Sequence, residues 1–192
     1  MESNVKKWDK WYENLTESRG AFVYGETPTY ELAAKFLENC ENVEDWGCGA
    51  GGFLRFCDRA IGVDGSNTPH AQKKFIDLVN YTSESDGIHV RHVLEHNYEW
   101  KKILNNILKS ARKKIVITMF IPLGDETKEI AHNKKHGVDV PDLLISKEEF
   151  MDIVKNYNIT NIEFVTMDTA TGYNKEEIIY ISLEHEKKKF VL

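Results

Sequence analysis

Long hydrophobic runs are missing from this chain of 192 residues. The best one, Ile115 to Leu123, is interrupted by Thr118 and Pro122 and falls far short of the ~20 apolar residues that a membrane-spanning helix needs. No membrane insertion is expected. The opening stretch, Met1 to Asp9, also lacks the apolar centre of a signal peptide. Cysteine is scarce: Cys40, Cys48 and Cys57 are odd in number and form no C-x-x-C pair. Neither a disulfide framework nor a zinc site is suggested, so a reducing cytoplasm is the expected compartment. Positive charge is the third shortage. Against 31 Asp and Glu stand 25 Lys and Arg, for a net charge of −6. The lysines come as scattered pairs, Lys6-Lys7, Lys73-Lys74, Lys101-Lys102 and Lys134-Lys135, and the cluster Lys187-Lys188-Lys189 reads as a solvated tail. Proteins that grip a phosphate backbone gather positive charge on one face, so a nucleic-acid partner is disfavoured.

What the chain does have is a glycine-rich turn between two acids. Val43-Glu44-Asp45-Trp46 reads as a short strand, and Gly47-Cys48-Gly49-Ala50-Gly51-Gly52 follows it directly. Glycines at alternate positions let the backbone turn sharply and approach a ligand closely, because no Cβ intervenes. A helix starting there would aim its N–H groups and the positive end of its dipole at that ligand. Nineteen residues after Asp45, Asp64 ends a second apolar strand, where a ribose hydroxyl pair needs an acceptor. Together these describe a site for a nucleoside-bearing cofactor. Gly47, Gly49 and Gly52 fit the dinucleotide spacing G-x-G-x-x-G, while Gly47, Gly49 and Gly51 fit G-x-G-x-G. Asp45 separates the two. Its carboxylate would repel a pyrophosphate but attract the ammonium group of S-adenosylmethionine.

The chain resembles the class I S-adenosylmethionine-dependent methyltransferases in three places. These are Asp45-Trp46-Gly47-Cys48-Gly49-Ala50-Gly51, Gly62-Val63-Asp64-Gly65-Ser66, and the run from Asp86 to His96 that ends in His92-Val93-Leu94-Glu95-His96. The resemblance implies a Rossmann-like α/β three-layer sandwich whose seven-stranded, mostly parallel sheet ends in an antiparallel hairpin strand. The apolar periodicities agree. Strands are expected at Val43–Trp46, Ala60–Asp64, Phe75–Val79, Gly87–Arg91, Lys114–Phe120, Ile162–Thr166 and Ile178–Leu183. Helices are expected at Lys6–Leu15, Thr29–Asn39, Phe53–Arg59, Tyr98–Arg112 and Lys147–Tyr157, the last opened by a capping box of Ser146 and Glu149. Only thirteen residues separate Asp64 from Asp77, so the family's second helix must be short or replaced by a loop around Pro69. One methyltransferase domain, 1–192, is expected. Within it, 1–40 would lay helices over the cofactor site and 41–120 form the cofactor core, while polar 121–145 would be a substrate loop and 146–192 the last helix and strand hairpin.

The resemblance assigns Asp45 to the methionine ammonium group and Gly47, Gly49 and Gly51 to the cofactor-binding turn of S-adenosylmethionine, with a helix cap and a plain strand-to-helix turn as the bland readings. Asp64 is the best single candidate for the ribose, since a carboxylate accepts both hydroxyl protons. Asp77 and Leu78 would hold the adenine, although plain surface and core roles fit them too. Tyr24 is a candidate for closing over the methionine end, with buried packing the equal reading. Chemistry belongs beyond the fourth strand, at the carboxyl ends of the strands. There His92 is the leading candidate for a general base, with capping or packing of the next helix as the alternative, and Arg91 would bind an anionic acceptor or form a structural ion pair. His92, Glu95 and His96 also resemble a Glu-x-x-Glu-His magnesium motif, but histidine replaces its first glutamate and a hard cation prefers oxygen. No metal is assigned. The expected activity is methyl transfer to an oxygen or nitrogen of a small molecule, such as a sugar or surface-polysaccharide precursor. A nucleic-acid or protein methyltransferase and a non-catalytic binding module of the same fold are the alternatives.

Overall fold

The computed structural model describes residues 5–16, 28–134, 137–170 and 173–184. Among them the strands run β1 (Val43–Trp46), β2 (Ala60–Val63), β3 (Ser85–Arg91), β4 (Ala111–Met119), β5 (Lys128–Asn133), β6 (Val140–Leu144), β7 (Ile159–Asp168) and β8 (Lys175–Leu183). The helices are α1 (Asp9–Thr16), α2 (Thr29–Phe36), α3 (Trp100–Ser110) and α4 (Lys147–Val154). Six strands form the main sheet in the order β2-β1-β3-β4-β8-β7. Its first four are parallel, β8 adds to β4 antiparallel, and β7 adds to β8 antiparallel. Parallel strands covered on both faces read as nearly continuous apolar runs, as in Ile115 to Met119 of β4, which is fully buried and broken only by Thr118.

Two apolar cores flank this sheet. On one face α3 contributes Ile103, Leu104, Ile107 and Leu108, packed with Trp46, Val90, Ile117 and, from α4, Phe150. On the other, α2 brings Tyr30 and Ala33 against Val43, Phe53, Val116 and Ile178. Alternation along β1 therefore sends Val43 and Trp46 into different cores. It also separates two neighbouring acids. Glu44 is held by Lys73, Tyr81, Ser83 and the Trp46 indole, which leaves Asp45 to the opposite face. Half of the expected capping box of α4 is present: the Ser146 hydroxyl accepts from the Glu149 N–H at 3.3 Å, while the Ser146 N–H donates to the Thr127 hydroxyl instead of the Glu149 carboxylate.

Three expectations need correction. The sheet has six strands, because Phe75–Val79 is not a strand. Thirteen residues after Asp64 are too few for a crossover helix and a further strand, which together need a dozen or more for the crossover alone. Instead Gln72 and Lys73 run beside β2: both N–H groups donate to the Gly62 carbonyl, and Asp64 N–H donates to the Lys73 carbonyl. The edge row of β2 is thus satisfied without a strand. Second, the helix expected at Phe53–Arg59 is a single tight turn, Phe53–Arg55. Third, the polar segment expected to be a loop forms the antiparallel hairpin β5–β6. Its outer strand is exposed almost throughout, so it shows no apolar period to read.

Candidate cofactor and acceptor site

The carboxyl ends of β1, β2 and β3 open into a cavity of about 450 Å³, within the range of ligand pockets. Gly47, Gly49 and Gly51 take φ of +75°, +50° and +75° in the turn that leaves β1. At Gly49 the need is double: the left-handed backbone suits glycine, and an added Cβ would lie 3.0 Å from the Tyr12 hydroxyl. Gly47 and Gly49 line the cavity, and Gly51 does not. An added Cβ on Gly51 would instead strike His70.

Asp64, just past β2, is 4% exposed and ties the turn together. One carboxylate oxygen accepts the Gly49 N–H at 2.9 Å and the other the Ser66 N–H at 2.8 Å. Burial raises its pKa to about 6, against these two hydrogen bonds. Each oxygen keeps a lone pair for a further donor. Asp45 faces its cross-strand neighbour His89, whose Nδ1 lies 2.7 Å from Oδ1 of Asp45. Asp77 accepts the Val79 N–H at 3.0 Å, which fixes its carboxylate at the rim beside Leu78 and Ile76. The cradle therefore offers a ribose-sized acceptor, an acid at one end and an acid with apolar neighbours at the other. That set fits a nucleoside carrying an ammonium arm.

The N-terminal segment closes over this cradle. Lys6 N–H donates to the Gly65 carbonyl, Trp8 N–H to the Ser66 hydroxyl, and Asn67 N–H to Asp9. The clamp presents Trp8, Trp11 and Tyr12 to the cavity. The Tyr12 hydroxyl is pushed well up in pKa, by burial first and then by the charge of Asp64. The expected helix over Lys6–Leu15 did not say which side these aromatics face. Tyr24 lies outside the described residues.

Beyond β3 the expected acceptor residues are brought together, and they are already engaged. Arg91 pairs with Glu176 of β8, donates to the Tyr30 hydroxyl at 3.0 Å and lies over the Tyr30 ring. Both ring nitrogens of His92 have partners, Nε2 with Glu176 at 3.0 Å and Nδ1 with Arg91 at 3.3 Å. Burial, with the adjacent Arg91 charge, lowers its pKa to about 4. Such a histidine stays neutral and spends its lone pair within the protein. The three residues that resemble the magnesium motif, to which no metal was assigned, take separate partners. Glu95 turns into the core to accept the Phe120 N–H at 2.8 Å, and its pKa rises to about 7 on burial. His96 turns the other way, with Nδ1 3.0 Å from the Pro141 carbonyl of β6. Glu176 and Asp142 carried no local sequence motif, and they reach Arg91 with His92 and His96 respectively only because β8 and β6 return to the ends of β4 and β3.

No family model matches the chain, and neither does any curated protein. Solved structures match with confidence. The 1,6-didemethyltoxoflavin-N1-methyltransferase of Burkholderia thailandensis, with S-adenosylhomocysteine bound, is 14% identical, with 81% of this chain and 76% of that one covered and a TM-score of 0.62. The magnesium protoporphyrin IX methyltransferase of Synechocystis is 16% identical over 81% and 82%, with a TM-score of 0.58. The N-methyltransferase NodS of Bradyrhizobium japonicum is 14% identical over 91% and 99%, with a TM-score of 0.57. With its glycine turn, its buried acid after β2 and its antiparallel β8–β7 edge, this chain has the fold of the class I S-adenosylmethionine-dependent methyltransferases.

Proposed function

We propose that this protein transfers a methyl group from S-adenosylmethionine to an oxygen or nitrogen of a small molecule. The observation that carries the reading is Asp64: a buried carboxylate, stapled to the glycine turn, with acceptor capacity left on both oxygens. When bound, the donor supplies an electrophilic methyl group on a sulfonium sulfur. The chain's own residues bind and align. Asp64 receives the ribose hydroxyls, Asp45 the ammonium group, and Asp77 with Leu78 the adenine edge. Gly47 and Gly49 keep the backbone out of the way. Alignment can supply several kcal/mol of the barrier to an in-line displacement.

Small, rather than macromolecular, acceptors suit the cavity. The net charge is −6, and Arg91 is spent on Glu176 rather than offered to a phosphate. A sugar or surface-polysaccharide precursor is the narrower reading. Trp8, Phe120 and Tyr173 give flat apolar faces for a ring, with Asn133 and Asp142 beside them for hydroxyls. Cys40, Cys48 and Cys57 are buried free thiols, in keeping with the cytoplasm. Calorimetry with S-adenosylhomocysteine tests the donor site directly. Micromolar binding that weakens in Asp64→Ala is expected, and absence of binding alongside clear binding of NAD sinks the reading. Donor binding without transfer to any acceptor would leave a non-catalytic module, and transfer only to RNA or protein would leave a macromolecular methyltransferase.

A further inference from the structure

The far end of the cavity holds a histidine wired differently from His92. His96 stands in the turn after β3, between the rings of Trp8 and Phe120 at centroid distances of 5.2 and 5.1 Å. Its Nδ1 is 3.0 Å from the Pro141 carbonyl, the aligned acceptor, and 3.3 Å from Oδ1 of Asp142, an ionic contact without hydrogen-bond alignment. Asp142 is fixed in turn by the Tyr173 hydroxyl, which donates to its other oxygen at 3.0 Å. The Nδ1 proton is thereby committed to β6. Nε2 is left with a lone pair and no hydrogen-bond partner among the described residues, on a side chain that lines the cavity.

We infer that His96, held by Asp142, is the base that takes the proton from a hydroxyl acceptor. This rests on the methyltransferase reading of the same cavity. In the step, the acceptor O–H gives its proton to Nε2 and the oxygen lone pair forms the new bond to the methyl carbon. The carbon–sulfur bond breaks, and its electron pair stays on sulfur. The imidazolium so formed faces Asp142 and then loses its proton to water. A fixed acid behind Nδ1 orients the ring and stabilises the charged form, the logic of a histidine–carboxylate pair. The charges around His96 agree. Glu95 from its own turn and Asp142 from β6 favour the imidazolium, the neutral His92 and Tyr173 stand by, and Arg91 is neutralised by Glu176. Burial alone would lower the His96 pKa, yet Asp142, Glu95 and the Pro141 carbonyl outweigh it and the net shift is upward. An aliphatic hydroxyl is a poor nucleophile until its proton leaves, so such a base selects for oxygen acceptors.

7-Hydroxycoumarin is a flat reporter hydroxyl whose neutral and anionic forms have separate excitation bands. Added to the protein with S-adenosylhomocysteine present, it should bind saturably and show more anion than the free probe at the same pH. His96→Asn should bind it without the extra anion, while calorimetry gives unchanged S-adenosylhomocysteine affinity. Asp142→Asn should move the midpoint of anion formation toward that of an unassisted histidine, with the ring of His96 still in its Nδ1–H tautomer by nitrogen NMR. Equal anion in His96→Asn and wild type overturns the proposal, as does loss that follows His92→Asn instead, or no saturable binding at all. Loss of S-adenosylhomocysteine binding by the wild-type protein would instead strike the donor reading, and probe ionisation in the unliganded protein would still report on His96.

Discussion

The burial of Asp64 and its proposed role at the ribose pull its ionisation in opposite directions. Burial favours the protonated acid and lifts the pKa to about 6, whereas a pair of ribose hydroxyls would bind best to the charged form. Donor affinity should therefore be constant above pH ~7 and fall as the pH drops through about 6, which calorimetry across pH 5–8 would read directly. Asp64→Ala should cost roughly 1.5–3 kcal/mol of donor binding, the scale of lost charge-assisted hydrogen bonds, and should flatten that pH dependence. Glu95 is the matching case for stability. Its pKa is raised to about 7 from 4.5 by burial, and one of its oxygens has no partner. The folded state then holds the proton more tightly than the unfolded chain, so stability due to this group is fullest below pH ~4.5 and is lost as the pH rises through about 7. His92, with its pKa lowered to about 4, works the other way: its contribution is present above 6.5 and is lost as the pH falls toward 4. Denaturant titrations of Glu95→Gln against wild type cancel the His92 part. The variant should gain on wild type by about 2–3 kcal/mol between pH 4.5 and 8, and a pH-independent difference would show that Glu95 is not the group responsible.

Elements were legible where one local rule decided them. Ser146 and Glu149 announce the start of α4, and the hydroxyl does accept the Glu149 N–H. Ser146→Ala should lower the unfolding free energy by about 1 kcal/mol and Ser146→Thr by less, since threonine keeps the acceptor. Equal losses would mean that the cap is not what the serine provides. The 3.6-residue period of α3 and the apolar runs of β3 and β4 were equally plain. Legibility failed where pairing across the fold decides the outcome. Phe75 to Val79 carries strand-like residues, but Gln72 and Lys73 already satisfy the edge of β2, and no ladder is left for them to join. β5 looked like loop because an exposed ribbon needs no apolar face, and its order comes from β6. The same division holds within the site. Asp45, Gly47, Gly49 and Asp64 are placed by a contiguous strand–turn–strand and could be read from spacing. Glu176 beneath Arg91 and Asp142 behind His96 lie 85 and 46 residues away from their partners, and only topology reveals them.

At the scale of the whole molecule, the proposed donor site is assembled from pieces far apart in sequence: the β1 turn, the acid after β2, the turn after β3 and the N-terminal clamp through Trp8 and Asp9. A ligand that contacts all of them binds the folded chain and not the unfolded one, so it must raise stability by mass action. At a hundredfold excess over Kd that linkage amounts to about 2.7 kcal/mol. For a chain of this size each kcal/mol moves Tm by roughly 2–4 °C, which makes the expected rise with S-adenosylhomocysteine about 5–11 °C. The same concentration should give Asp64→Ala less than half of that shift, because its site is then only partly filled. NAD should give none. Hydrogen exchange measured with the ligand would say whether the pieces respond as a unit. Protection should appear together in 5–16, 47–52 and 64–68, since one backbone and two backbone-to-side-chain hydrogen bonds join the first and last of these. Protection confined to the glycine turn, with α1 exchanging as fast as before, would mean that the N-terminal clamp lies beside the bound nucleoside without covering it.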